Sequence, residues 1–335
     1  MSTLQQFKSE TEGVRNVATP PRLLAIPLNF FAITMGLAGL AGVWRLAGDL
    51  YHLPASIGDA LYVVTAGVFL LLIVAFAMKL LLTPKAVMAE LTHPVLGPFC
   101  SLLPMSGMLL ALGLQPYASR VALVLFLVFF IATVLLGGWM TGQWIVAKLD
   151  AETFHPGDFL PTVAGALVGA DGAGHFGLIG LGWMSFGIGM MCWVVFGSIM
   201  LNRLFFRADL PPGLVPTLAI EMAPPVVAGN AYFTLTSGRM DSVAYVLAGY
   251  AVLMVLVQVR LVPLYVKTLF APSFWALTFA YAAVASDAMR WITVEHPSGA
   301  IVLGSVLLAA ITFLIAGMAL RSLIALRQGT FLPAS

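Results

Sequence analysis

Long apolar runs separated by short polar breaks recur along the whole chain. A run of about 20 mainly apolar residues is what an α-helix needs to cross the roughly 30 Å of bilayer hydrocarbon. Ten such runs are present, approximately 24–44, 60–83, 96–114, 119–147, 158–174, 178–203, 213–236, 242–269, 273–291 and 298–326. The fifth is barely long enough and contains Asp158, Pro161 and Asp171. The pattern predicts an all-α integral membrane fold of ten helices over 23–327, between a polar tail at 1–22 and a short one at 328–335. The first run exceeds the apolar core of a signal peptide, about 7–15 residues, and reads as a retained span.

Prolines add a second, longer period. Pro21, Pro94, Pro156, Pro212 and Pro272 each precede an odd-numbered run, at intervals of 73, 62, 56 and 60 residues. Each interval holds one helical hairpin. The odd runs also carry interior prolines (Pro27, Pro98, Pro104, Pro161, Pro216, Pro224, Pro225), whereas among the even runs only Pro263 is comparable. Proline removes a backbone N–H and frees a carbonyl one turn earlier. In a bilayer such backbone is tolerated where protein or a wet cavity covers it. The odd helices therefore suit an inner layer and the even ones a lipid-facing coat. A hairpin enters and leaves on one side, so successive hairpins share a direction and are related by an axis along the membrane normal. Five of them can close into a ring, and an open arrangement satisfies the same pattern.

Charge is scarce: 16 Lys and Arg and 14 Asp and Glu make up 9% of 335 residues, against about 25% in a soluble domain. Hydrophobic residues reach 61% and the mean hydropathy is +1.00. With ten spans, 12 of the 16 basic residues fall on the side of the termini. Only Arg45, Arg120, Arg239 and Arg290 lie opposite, which predicts cytoplasmic termini. The net charge of +2 forms no basic patch, so a nucleic-acid partner is excluded. Cys100 and Cys192 sit in apolar runs without a C-x-x-C spacing, and the five histidines show no zinc spacing. Neither a cofactor nor a metal is implied, and no two spans offer facing acids or histidines for catalysis.

Several segments carry a resemblance in order and spacing, over about 24–330. They are Ala32-Ile33-Thr34-Met35-Gly36-Leu37-Ala38-Gly39-Leu40, Thr92-His93-Pro94 with Leu103-Pro104-Met105, His155-Pro156 with Phe159-Leu160-Pro161, Ile220-Glu221-Met222-Ala223-Pro224, and Trp275-Ala276-Leu277-Thr278-Phe279. The chain resembles the bacterial tellurite-resistance/C4-dicarboxylate transporter family, which includes the plant slow anion channels. The resemblance implies five quasi-symmetric helical hairpins, five inner helices lining a central pore, and a homotrimer with one pore per protomer. It also implies a bacterial inner-membrane location and a small anionic solute: an inorganic anion, a C4-dicarboxylate or a tellurite-type oxyanion. A phenylalanine of the ninth helix plugs the pore in the channel branch, and Phe279 matches it. Two positions depart from the family: Met35 stands where a proline is frequent, and Glu221 where the channel branch has an apolar residue.

Read as residues, Phe279 is a pore gate or a packing aromatic. Glu221, an acid well inside the seventh run, is a protonatable transport group or a solvated vestibule residue, since a charge at a helix centre costs about 2.5–3.5 kcal/mol on insertion scales. Pro104, Pro161 and Pro224 break inner helices near the path or kink them for packing. Gly36 and Gly39 widen the pore or let helices approach closely. Asp287 and Arg290, at helical spacing near the outer end of the ninth run, read as an interface pair in preference to an ion site. The resulting expectation is an anion path almost free of charge. A proton-coupled organic-acid carrier and a ten-span inverted-repeat carrier are the alternatives, the latter requiring an opposed repeat near 165 residues.

Overall fold

The computed structural model describes residues 26–51 and 53–332; the polar N-terminal tail and Pro21 lie outside them. Eleven α-helices, and no strand, occur among the described residues. Five are long and regular: α2 (Ala55–Leu82), α5 (Ser119–Ala147), α7 (Ile179–Phe206), α9 (Ser242–Lys267) and α11 (Ala300–Arg327). At 26 to 29 residues each spans about 40 Å, more than the hydrocarbon thickness. They expose bulky apolar side chains such as Leu81, Val146, Phe206, Val266 and Phe313. Only 17–28% of each apolar window is buried, which leaves the rest as apolar surface suited to lipid.

A second set of five is shorter and distorted at its N-terminal ends. These are α1 (Phe31–Tyr51), α4 (Leu102–Leu114), α6 (Gly165–His175), α8 (Ala223–Leu235) and α10 (Trp275–Glu295). Each is reached through a 3-10 or π turn: Leu28–Phe30, Gly97–Ser101, Pro156–Phe159 with Leu160–Ala164, Pro212–Met222 and Pro272–Phe274. Prolines begin or precede these turns, where missing N–H groups cost least. The windows covering α1 and α4 are 61% and 72% buried. An eleventh helix, α3 (Pro84–Leu91), has eight residues, too few to cross a bilayer, and is not anticipated by the apolar pattern.

The short helices close a ring in chain order: α1 packs on α4, α4 on α6, α6 on α8, α8 on α10, and α10 on α1. Each long helix backs the short helix that precedes it in the chain. Among the described residues seven helical segments are long and apolar enough to cross a membrane, and the chain is a multi-pass membrane protein. The segments around α6, α8 and α10 fall outside that set. Facing protein instead of lipid, they tolerate Asp158, Glu221 and Asp287 in buried positions.

Polar contacts fasten the ring at the end where the short helices begin. Glu90 of α3 accepts a hydrogen bond from the Leu28 N–H at 2.6 Å and pairs with Lys79 of α2 at 2.5 Å. His93 Nδ1 accepts from the N–H groups of Val95 and Leu96, capping the turn before α4. His155 repeats the device before α6: its Nδ1 accepts from Gly157 N–H, and Asp158 accepts from the His155 N–H. The His155 ring reaches back through Nε2 to the Val95 carbonyl at 3.0 Å, tying the two turns together.

Candidate functional site

Two cavities lie on the axis of the ring. The smaller, about 40 Å³, takes lining residues from all five short helices or their lead-in turns. Each contributes a pair three or four residues apart, the spacing that puts two side chains on one helical face: Ala32 with Met35, Phe99 with Leu102, Leu160 with Ala164, Ile220 with Ala223, and Ala276 with Phe279. These walls are apolar. The Trp275 indole N–H, at the edge, is used by Ser322 at 2.9 Å.

The larger cavity, about 290 Å³, is lined by later stretches of the same five helices. Examples are Gly39 and Arg45 of α1, Leu109 of α4, Asp171 and His175 of α6, Asn230 of α8 and Arg290 of α10. Early residues of each short helix or of its lead-in turn face the small cavity and later residues face the large one, so all five run parallel. Phe279 alone lines both cavities, so its ring stands in the wall between them.

Close packing of α1 on α10 positions that ring. Thr34 and Thr278 occupy matching places, each bonding the carbonyl three residues back at 2.7 Å, Phe31 O and Trp275 O. The tetrads Phe31-Ala32-Ile33-Thr34 and Trp275-Ala276-Leu277-Thr278 thus fold alike, and Met35 follows the first as Phe279 follows the second. This internal likeness is the sequence signal that reveals Met35 as a lining residue.

Other expected site residues stand elsewhere. Gly36 lines neither cavity; a methyl group there would collide with the Thr278 side chain, so this glycine serves the α1–α10 contact. Pro104, Pro161 and Pro224 do not line the cavities either. They lie in the first turn of α4, in the π turn and in the first turn of α8, each within two residues of a lining residue (Leu102, Leu160, Ala223). The irregularity falls at the junction of lead-in turn and helix, not mid-helix. Pro27, as N-cap of the first turn, starts α1 and does not kink it.

Glu221 stands apart from both axial cavities. Its neighbour Ile220 faces the small cavity, but Glu221 lines a separate lateral groove of about 1000 Å³ between the Pro212–Met222 turn, α7 and α9. Its Oε1 has no hydrogen-bond partner among the described residues. Asp287 and Arg290 form no ion pair: Asp287 is turned against Gly229, and Arg290 faces the large cavity. That cavity also holds Arg45, Asp49 and Asp171, which corrects the expectation of a path almost free of charge.

Residues 25–323 match a family model described as voltage-dependent anion channel. The chain belongs to the voltage-dependent anion channel family. It is 30% identical over 264 residues to the tellurite resistance protein TehA homolog of Haemophilus influenzae, covering 78% of this chain and 80% of that protein. It is 26% identical over 327 residues to the S-type anion channel SLAH3 of Arabidopsis thaliana, 91% of this chain and 49% of that one. For SLAH2 of the same plant the values are 27% over 289 residues, 82% and 54%. The chain therefore spans about half the length of the plant channels it matches. Members of the voltage-dependent anion channel family are anion channels and transporters and not enzymes, so the ring and its axial cavities belong to a transport protein.

Proposed function

We propose that the chain conducts small anions along the axis of its five short helices, with Phe279 as the gate. The observation that carries this reading is the position of one aromatic ring in the wall of both axial cavities. An aromatic ring across a narrow apolar passage blocks ions by filling it and by excluding water. Turning the ring aside would join the cavities. The small apolar chamber favours inorganic anions that lose hydration water at low cost over bulky dicarboxylates. Tellurite-type oxyanions are further candidate solutes, because the Haemophilus relative is a tellurite resistance protein homolog.

In this arrangement residues 23–327 make ten crossings in five quasi-symmetric hairpins, with both termini cytoplasmic in a bacterial inner membrane. It is supported by the parallel direction of the short helices, the closed ring, and the basic residues gathered at its starting end. The same-sense repeat disfavours an inverted-repeat carrier. A homotrimer with one path per protomer follows from the family resemblance. Glu221 takes no part in the path, because its groove is lateral. The test is anion flux into proteoliposomes with and without a pH gradient. Chloride or nitrate entry independent of the gradient supports the channel reading, whereas uptake of a C4-dicarboxylate only with an inward proton gradient replaces it by the carrier.

A further inference from the structure

Charged and polar side chains line the large cavity on the far side of Phe279, and five of them have partners among the described residues. Arg45 gives Nε and Nη2 to Asp59 at 2.9 and 2.7 Å and lies over the Tyr62 ring. Gln115 donates its amide to the His175 carbonyl at 2.9 Å. His175 Nδ1 is 2.9 Å from the Asp171 carbonyl and 3.7 Å from its carboxylate. Asn230 spends its amide donors on the carbonyls of Val226 and Ala283. Asp171 accepts from the Thr234 hydroxyl at 2.6 Å.

Arg290 differs. No carboxylate of the described residues lies within ion-pair distance of it, and its Nε has no partner among them. It lines both the large cavity and the shallower cleft beside it, about 330 Å³, so it stands where the two meet. Eleven residues separate it from Phe279, about three helical turns or 16 Å, which returns it to the same face of α10. Ala282, Ala283 and Ser286 lie between them on that face, and all line the cavity.

We infer that Arg290 is an anion-recruiting site above the gate, taking a small inorganic anion on its free guanidinium N–H groups. The inference rests on the anion path proposed above. A guanidinium keeps its charge at all working pH values and offers several donors to one anion. The carboxylates of Asp49 and Asp171 on the facing walls weaken the site, and buried Asp287 stands behind it. A weak site suits conduction, since a tightly held ion does not leave.

The test measures the chloride-to-potassium permeability ratio from reversal potentials of the reconstituted Phe279→Ala protein. Arg290→Gln in that background is expected to lower the ratio about fivefold, the worth of one partly exposed charge. Arg290→Lys is expected to keep most of it. Arg290→Cys provides a check within one folded protein: a cationic thiosulfonate reagent restores the ratio and an anionic one lowers it further, with the Phe279→Ala parent treated alike as control for Cys100 and Cys192. An unchanged ratio in Arg290→Gln, or equal effects of both reagents, overturns the site. Absence of anion current in the Phe279→Ala parent overturns the anion path itself, so the two failures are distinguishable.

Discussion

Gly39 of α1 lies against the Phe279 ring of α10: a methyl group on Gly39 would stand 3.3 Å from Phe279 Cδ2 and 2.9 Å from the Ala282 methyl. The ring thus occupies space left by a missing side chain. Gly39→Ala is expected to jam the ring, lowering anion flux and costing about 1–3 kcal/mol of stability. Adding Phe279→Ala removes the ring contact and is expected to raise flux above wild type. The cycle of single and double variants, read as liposome flux, should be strongly non-additive.

The Lys79–Glu90 pair is 7% and 9% exposed and also holds the first N–H of the lead-in turn to α1. Glu90→Ala leaves a buried ammonium without its carboxylate, a loss of about 3–5 kcal/mol. Glu90→Gln keeps an acceptor for Leu28 and should cost less. Thermal unfolding in detergent compares the two variants.

His155 sets a pH limit on the fold. Burial, helped by the Arg203 charge and opposed by the hydrogen bond to Val95, pushes its pKa from 6.5 down to about 4. Between those values the unfolded chain binds a proton that the folded chain refuses. Stability is therefore full above pH 6.5 and falls as pH drops toward 4, by up to about 3 kcal/mol. Protonation would also place a hydrogen on Nδ1, which caps Gly157. A midpoint-against-pH series should flatten over this range in His155→Asn.

Glu221→Gln should leave anion flux and its pH profile unchanged, because the carboxyl lies in the lateral groove and off the axis. A pH profile that shifts in this variant would return Glu221 to the transport cycle.

Much of the architecture is legible in the sequence because two separate physical demands write to it. Lipid contact demands long apolar runs, which mark α2, α5, α7, α9 and α11. Backbone irregularity demands prolines, which mark the lead-in turns of the five ring helices. Neither demand records which way a side chain points around its helix. Ile220 and Glu221 are adjacent, yet one faces the axial chamber and the other the lateral groove. Asp287 and Arg290 have the spacing of a pair, but the carboxylate turns toward Gly229 and the guanidinium toward the cavity. The Lys79–Glu90 pair and α3 are hidden for another reason. Glu90 and α3 fall in the polar break after the second run, where apolar periodicity carries no signal, and Lys79 stands at the end of that run.

The most direct measurement is the anion current of reconstituted Phe279→Ala beside wild type at equal protein density. With Phe279 as the gate, the variant's chloride or nitrate current rises about tenfold, as expected when the barrier falls by about 1.4 kcal/mol. Equal currents from the two folded proteins would contradict the gate and, with it, an axial path closed by this ring.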